Sequence, residues 1–212
     1  VVAARSENSC GEEGISLFVV PSDASGLERR LLPTMDQTRK QAELALHDVR
    51  VPASALMGEE GEGWKTLGGA LDLAAVALAA EQVGGAQRCL DMSVEYANER
   101  VQFGRPIGSF QAIKHKCADM MVEVESARSA SYYAGWAASE ATEDLPAAAA
   151  LAKAFCSDTY FHCAAQSVQI HGGVGFTWEY DVHLYFKRAK ATEILFGSPA
   201  YHRERVAQHM GL

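Results

Sequence analysis

Apolar and polar residues change their period once along this chain, near Trp64. Before it the runs are short: "VVAA", "ISLFVV" and "AELALHDVRV" read as strands, with the turn-rich "ENSCGEEG" and "PSDASG" between them. After it the apolar residues recur at helical spacing. A first helix is predicted from Trp64 to Val101, with Trp64, Leu67, Leu71, Leu78, Leu90, Val94 and Ala97 as its apolar positions. A second starts near Ser109 and repeats Ile113, Cys117, Met120, Val124, Ala127, Ser131 and Ala134, the alternation of three and four that marks a bundle seam. The third, "AAAALAKAFCSDTYFHCAAQSVQI", is apolar nearly all round and so is expected at the centre, with Asp144 as its cap and Pro146 in its first turn. Gly172-Gly173 ends it. A fourth covers Tyr180 to Leu195, and a fifth begins at Ser198-Pro199.

The expected fold is therefore mostly α: part of a β-barrel-like domain over 1–57, a linker "GEEGEG" over 58–63, and an up-and-down helical bundle over 64–212. The 212 residues are 48% hydrophobic and 22% charged, the balance of a soluble globular protein. A net charge of −8 argues against nucleic acid, which needs a basic face. No unbroken apolar run reaches the ~20 residues of a membrane span. Five cysteines without a C-x-x-C pair fit a reducing, cytoplasmic setting. The opening "VVAAR" carries no Met and reads as the later part of something longer.

Two stretches carry candidate chemistry. "NERVQFGRPIGSFQ", residues 98–111, packs Arg100, Gln102, Phe103, Arg105 and Gln111 around a helix break. Arginine forks bind phosphate, phenylalanine covers an aromatic ring, and the following helix N-terminus offers free N–H groups. A dinucleotide pyrophosphate would suit this set, and an ordinary polar turn explains it about as well. "QIHGGVGF", residues 169–176, follows a helix rather than a strand, so a Rossmann reading fails. Its paired glycines either let a ligand approach the backbone near Gln169 or simply end the helix. The seven histidines supply no repeated Glu-x-x-His, so no metal centre is expected. No G-x-S-x-G occurs, and Cys156 and Cys163 stand seven apart on a helix expected to be buried.

Taken together, "ERVQFGRPIGSFQAIKHKCADM", "QIHGGVGFTWEY" and "KRAKATEILFGSP" resemble the acyl-CoA dehydrogenase family of flavoproteins, over all 212 residues. "VRVPASALMGEEGEGW" resembles that family's crossing from its central β domain into its C-terminal helical domain. The resemblance implies an oxidoreductase of fatty acid or lipid metabolism that uses FAD. A carboxylate removes the α-proton of an acyl-CoA, and the β-hydrogen leaves as hydride to the flavin. It implies dimers or tetramers in which the adenosine and pyrophosphate end of each flavin lies against a neighbouring subunit. Arg100, Gln102, Phe103, Ile107 and Gln111 match that site in the first motif, Gln169, Gly172 and Gly173 in the second, and Ser198 in the third.

Two departures from the family pattern stand out. The chain starts just after the stretch that holds the flavin ring in relatives. The usual base, a glutamate before the glycine of a Glu-Gly-Thr pattern, aligns with Phe196, and phenylalanine accepts no proton. Relatives that carry the base on the first long helix place it after a Leu-Asp pair, and here Leu71-Asp72 is followed by Ala74 and Ala75. Glu193 lies three residues before Phe196, nearly one turn back, and its more ordinary role is an ion pair with Lys190 or Arg188. Asp72 matches a position near the acyl-CoA in some relatives. The expectation is either a catalytic acyl-CoA dehydrogenase with a base supplied elsewhere, or a non-catalytic subunit that completes a partner chain's FAD site in a hetero-oligomer.

Overall fold

The computed structural model describes all residues, Val1–Leu212. The chain divides into two compact units, Val1–Leu71 and Asp72–Leu212.

In the first unit, β1 (Val2–Arg5), β2 (Ile15–Phe18) and β5 (Leu56–Met57) form an antiparallel sheet in the order β1-β2-β5. The central strand buries Ile15, Ser16 and Leu17 in succession, as a strand covered on both faces must. Ser16 Oγ accepts from Gly61 N at 2.9 Å. A second pair, β3 (Leu27–Leu31) and β4 (Ala42–Leu46), makes an antiparallel hairpin. Sequence patterning misses β3, because "LERRL" shows no alternation. Its register comes from pairing with β4, where Arg30 and Glu43 stand opposite each other at 2.6 Å. Leu31, Leu44 and Leu46 are exposed, so this hairpin presents an apolar surface. The long strand expected from Ala42 stops at Leu46, and the chain bends away through Asp48 at φ +48°.

Helices dominate the rest: α1 (Gly63–Glu99), α2 (Gln111–Ser139), α3 (Leu145–His171), α4 (Val182–Ile194) and α5 (Pro199–His209). The seam predicted for α2 is the one that packs. Met120, Val124, Ala127, Ser131 and Ala134 are buried, with Ile113 and Cys117 half-buried beside them. On α1 the pattern is less faithful: Leu78, Leu90 and Ala97 are buried, but Val94 is exposed.

The third helix is central, packing against α2, α4 and α5 and sharing core clusters with α1. One cluster is almost all alanine (Ala79, Ala127, Ala134, Ala137, Ala148, Ala152) with Val83 and Cys156, small side chains that let backbones approach closely. The other is larger, built on Met120, Val124, Tyr160, Val168, Ile170 and Val182. Asp144 stands at the start of α3 but does not cap it; its carboxylate takes hydrogen bonds from Tyr133 and Thr142 instead. By length and composition α1 is apolar enough to cross a membrane, which short runs did not reveal. Its buried Gln82 and Ser93 hydrogen-bond to oxygens inside the bundle.

Candidate functional site

The break after α1 is a built hairpin rather than an open turn. Strands β6 (Val101–Gln102) and β7 (Arg105–Pro106) pair antiparallel, Val101 with Pro106 and Gln102 with Arg105. Two residues connect them, Phe103 at φ +52° and Gly104 at φ +79°. Positive φ at both central positions marks a type I′ turn, one of the two whose twist matches that of the flanking strands. Glycine adopts it freely; phenylalanine does so against its side chain. Phe103 is also 92% exposed, its ring T-shaped to that of Phe110 with centroids 6.1 Å apart, while the Arg105 guanidinium lies 4.1 Å over Phe110. A large apolar side chain held in solvent by a strained backbone is an unusual use of sequence, and it points to a partner surface or ligand.

Around this tip Arg100, Gln102 and Gln111 are exposed. Ile107 turns inward and packs against the bundle core, anchoring the hairpin base. Gln111 opens α2, whose N-terminus carries no side-chain cap, while Phe110 N and Ile113 N donate to Ile107 O and Phe110 O.

The second motif lies at the same end of the bundle. Tyr96, in the last turn of α1, stacks on His171, in the last turn of α3, with ring centroids 4.3 Å apart. Tyr180 closes the group edge-on at 5.6 Å from His171. Burial lowers the His171 pKa, opposed by its hydrogen bond to Ser167 O, which lies 2.8 Å from Nδ1. Beside it Gly172, at φ +63°, and Gly173 are exposed, and a Cβ on either would meet nothing within 4 Å. The backbone there is bare, so a ligand can lie directly on it. Gln169 is exposed one turn earlier. A cavity of about 300 Å³ adjoins, lined by Tyr96, His171 and Tyr180 with Glu95, Glu99 and Arg88 on its walls. Exposed amides, a guanidinium, a bare glycine backbone and an exposed ring therefore share one end of the bundle.

The third motif sits between α4 and α5. Phe196 takes φ +58° and Gly197 φ +109°. Phe196 is 43% exposed and brings no ionisable group. Ala75 on α1 is buried, and Ala74 is half-buried. Glu193 pairs with Lys190 at 2.9 Å, and Lys190 also lies 4.8 Å over the Phe161 ring. The Asp72 carboxylate is buried against Arg205 of α5 at 2.8 Å. Ser198 caps α5, its Oγ accepting from Tyr201 N at 3.3 Å. All five cysteines are free. Burial pushes the Cys156 and Cys163 thiols up to about 12, which removes them as nucleophiles at neutral pH.

Sequence reasoning missed the polar residues beneath this turn, Gln82, Lys153 and His202, each buried completely or nearly so. A single lysine inside "AAAALAKAFC" was the available signal.

Residues 61–211 match the family model of the acyl-CoA dehydrogenase C-terminal domain. The chain is 44% identical over 168 residues to acyl-CoA dehydrogenase IpdE2 of Mycolicibacterium smegmatis, covering 79% of this chain and 48% of that one. Butyryl-CoA dehydrogenase from Megasphaera elsdenii superposes with a TM-score of 0.93 at 33% identity, over 99% of this chain and 55% of that one. PigA, solved with FAD and proline, superposes with a TM-score of 0.93 at 27% identity, over 99% and 55% of the two chains. The chain thus spans about half the length of the relatives it matches.

Proposed function

The chain belongs to the acyl-CoA dehydrogenase family, and we propose that it takes part in FAD-dependent α,β-dehydrogenation of an acyl-CoA thioester by holding the adenosine and pyrophosphate end of the flavin. The observation that carries this reading is the convergence of the Phe103 hairpin and the Gly172-Gly173 backbone at one end of the bundle, joined through the Tyr96–His171 stack. The groups present fit the cofactor. Arg100 offers a fork for the pyrophosphate, and the Gln102, Gln111 and Gln169 amides offer donors and acceptors. Gly172 and Gly173 leave room for it against the main chain, and Phe103 supplies a ring to cover the adenine. Ile107 holds the hairpin base against the core, and Ser198 fixes the start of α5.

FAD, when bound, accepts the hydride from the acyl β-carbon. The α-proton needs a carboxylate within hydrogen-bond reach. Phe196 provides none, and Glu193 is engaged by Lys190. Asp72, near the acyl-CoA in the resemblance, is held in an ion pair with Arg205. The base is therefore assigned to a chain segment or subunit other than these positions. This supports the second reading, a subunit that completes a partner's flavin site without performing the chemistry itself. Either reading requires a homo- or hetero-oligomer, and the five free cysteines suit a cytoplasmic one.

The test is to add FAD to the purified chain, remove what does not bind, and record the visible flavin absorption, alone and with any co-purifying polypeptide. Retained flavin that is lost in Arg100→Ala and Phe103→Ala supports the reading. No flavin in any assembly, or flavin indifferent to both substitutions, overturns it. Acyl-CoA-dependent bleaching by this chain alone would eliminate the non-catalytic reading.

A further inference from the structure

The end of α4 is held by buried polar side chains from other helices, and flavin binding does not account for them. A helix ends with four carbonyl oxygens that lack an intrahelical partner. In α4, where Leu195 N closes the last intrahelical bond on Ala191 O at 3.3 Å, these belong to Thr192, Glu193, Ile194 and Leu195. The turn itself meets one of them: Gly197 N donates to Ile194 O at 3.2 Å. Two more are met from across the bundle. Gln82 Nε2 of α1 donates to Thr192 O at 3.1 Å, and Lys153 Nζ of α3 to Glu193 O at 3.1 Å. Two carbonyls within the turn are taken as well. Lys153 Nζ donates to Gly197 O at 3.2 Å, and His202 Nε2 to Phe196 O at 3.0 Å.

These donors are linked to each other. Lys153 and Gln82 both donate to Ser157 Oγ, at 2.9 and 3.0 Å. The Lys153 ammonium has three N–H bonds and faces three oxygens, Ser157 Oγ, Glu193 O and Gly197 O. Burying such a cation in an alanine-rich helix is costly, and apolar packing would fill the space more cheaply. Burial pulls its pKa down to about 8 against the raising influence of Glu193, Cys156 and Asp158, so it remains charged at neutral pH with all three donors.

The backbone it holds is the strained one. Phe196 sits at φ +58°. Gly197 at φ +109° could not carry a side chain, since a Cβ would lie 2.5 Å from Tyr201 and 3.0 Å from His202. Strained geometry persists where its surroundings over-determine it.

We propose that Lys153, with Gln82 and His202, positions residue 196, fixing through backbone carbonyls the direction in which that side chain is offered to the acyl thioester. The proposal rests on the acyl-CoA reading above, in which position 196 aligns with the residue that takes the α-proton in relatives.

Hydrogen exchange of the full chain tests the hold on the turn without flavin or substrate. In Lys153→Met, exchange across residues 194–198 rises at least tenfold while α2 is unchanged. Gly85→Ala, a packing perturbation elsewhere, does not reproduce that local opening. Unchanged exchange at 194–198, or a uniform rise through the bundle, overturns the proposal. Should Lys153→Met not fold, Gln82→Met, which removes the donor to Thr192 O, is read by the same criteria. The FAD-loaded assembly is then titrated with butyryl-, octanoyl- and palmitoyl-CoA, and the variant with an opened turn binds at least tenfold more weakly whichever of them the wild type binds. Equal binding despite an opened turn refutes the positioning role. A wild-type assembly that binds none of butyryl-, octanoyl- and palmitoyl-CoA refutes the acyl-CoA reading instead, and the exchange result then judges the hold on the turn alone.

Discussion

Gly84 and Gly85 are neighbours in the middle of α1, and the same substitution should have opposite effects at the two. Glycine inside a helix is about 1 kcal/mol less favourable than alanine, so propensity alone predicts a gain at either position. At Gly84, which is exposed, an added Cβ meets nothing within 4 Å. At Gly85 it would lie 2.4 Å from Tyr160 Cζ and 2.7 Å from its hydroxyl oxygen. Ordinary contact begins at 3.4 Å, so the ring must retreat by 3.4 − 2.4 = 1.0 Å. Tyr160 is only 2% exposed and belongs to the larger core cluster, so it has nowhere free to go. Overpacking of that kind costs about 1–3 kcal/mol, and a retreat that large in a filled core belongs at the upper end. Set against the propensity gain, Gly85→Ala should lose about 2 kcal/mol and Gly84→Ala should gain about 1 kcal/mol. For a chain of this size that is a fall of about 4–8 °C and a rise of about 2–4 °C in Tm. Thermal unfolding followed by circular dichroism, with urea midpoints alongside, reads both. A Gly85→Ala chain as stable as the wild type, beside a stabilised Gly84→Ala, would refute the claim that Tyr160 is confined.

Two further outcomes are expected. Ser198→Ala removes the oxygen that accepts from Tyr201 N, and should lower the stability read by urea midpoint by about 1 kcal/mol, the usual worth of an N-cap. His171 and His202 both have pKa values lowered by burial, so the folded chain binds fewer protons than the unfolded chain as pH falls through the ordinary 6.5. Stability is therefore lost on the acid side of that value: the urea midpoint should be lower at pH 5.5 than at pH 7.5, by less in His171→Phe, and a pH-independent midpoint would refute the assignment.

The helices were legible because their apolar spacing is long and regular. The α2 seam from Met120 to Ala134 packs as its spacing predicts, and α3, apolar on every side, is central. What escaped the pattern depends on partners distant in sequence. Strand β3 exists through its pairing with β4, since "LERRL" has no face of its own. The hairpin at Phe103 escaped because nothing in "QFGR" announces that a phenylalanine will take a left-handed backbone. Individual site residues were legible as types, while their convergence depended on the contact between Tyr96 and His171, 75 positions apart in number (171 − 96). Lys153 reads as a stray charge until the carbonyls it meets, 40 and 44 residues further on, are in place.

The tip of the Phe103 hairpin sets two demands on one codon. Chain folding by itself would choose glycine or asparagine there, residues for which positive φ costs little. A ring earns its place only while something outside the fold leans on it. Position 103 should therefore drift in descendants released from that demand, settling on the residue the turn prefers, with no loss of fold to hold it back. Among relatives, the identity of this residue becomes a record of whether the surface around it is still in use.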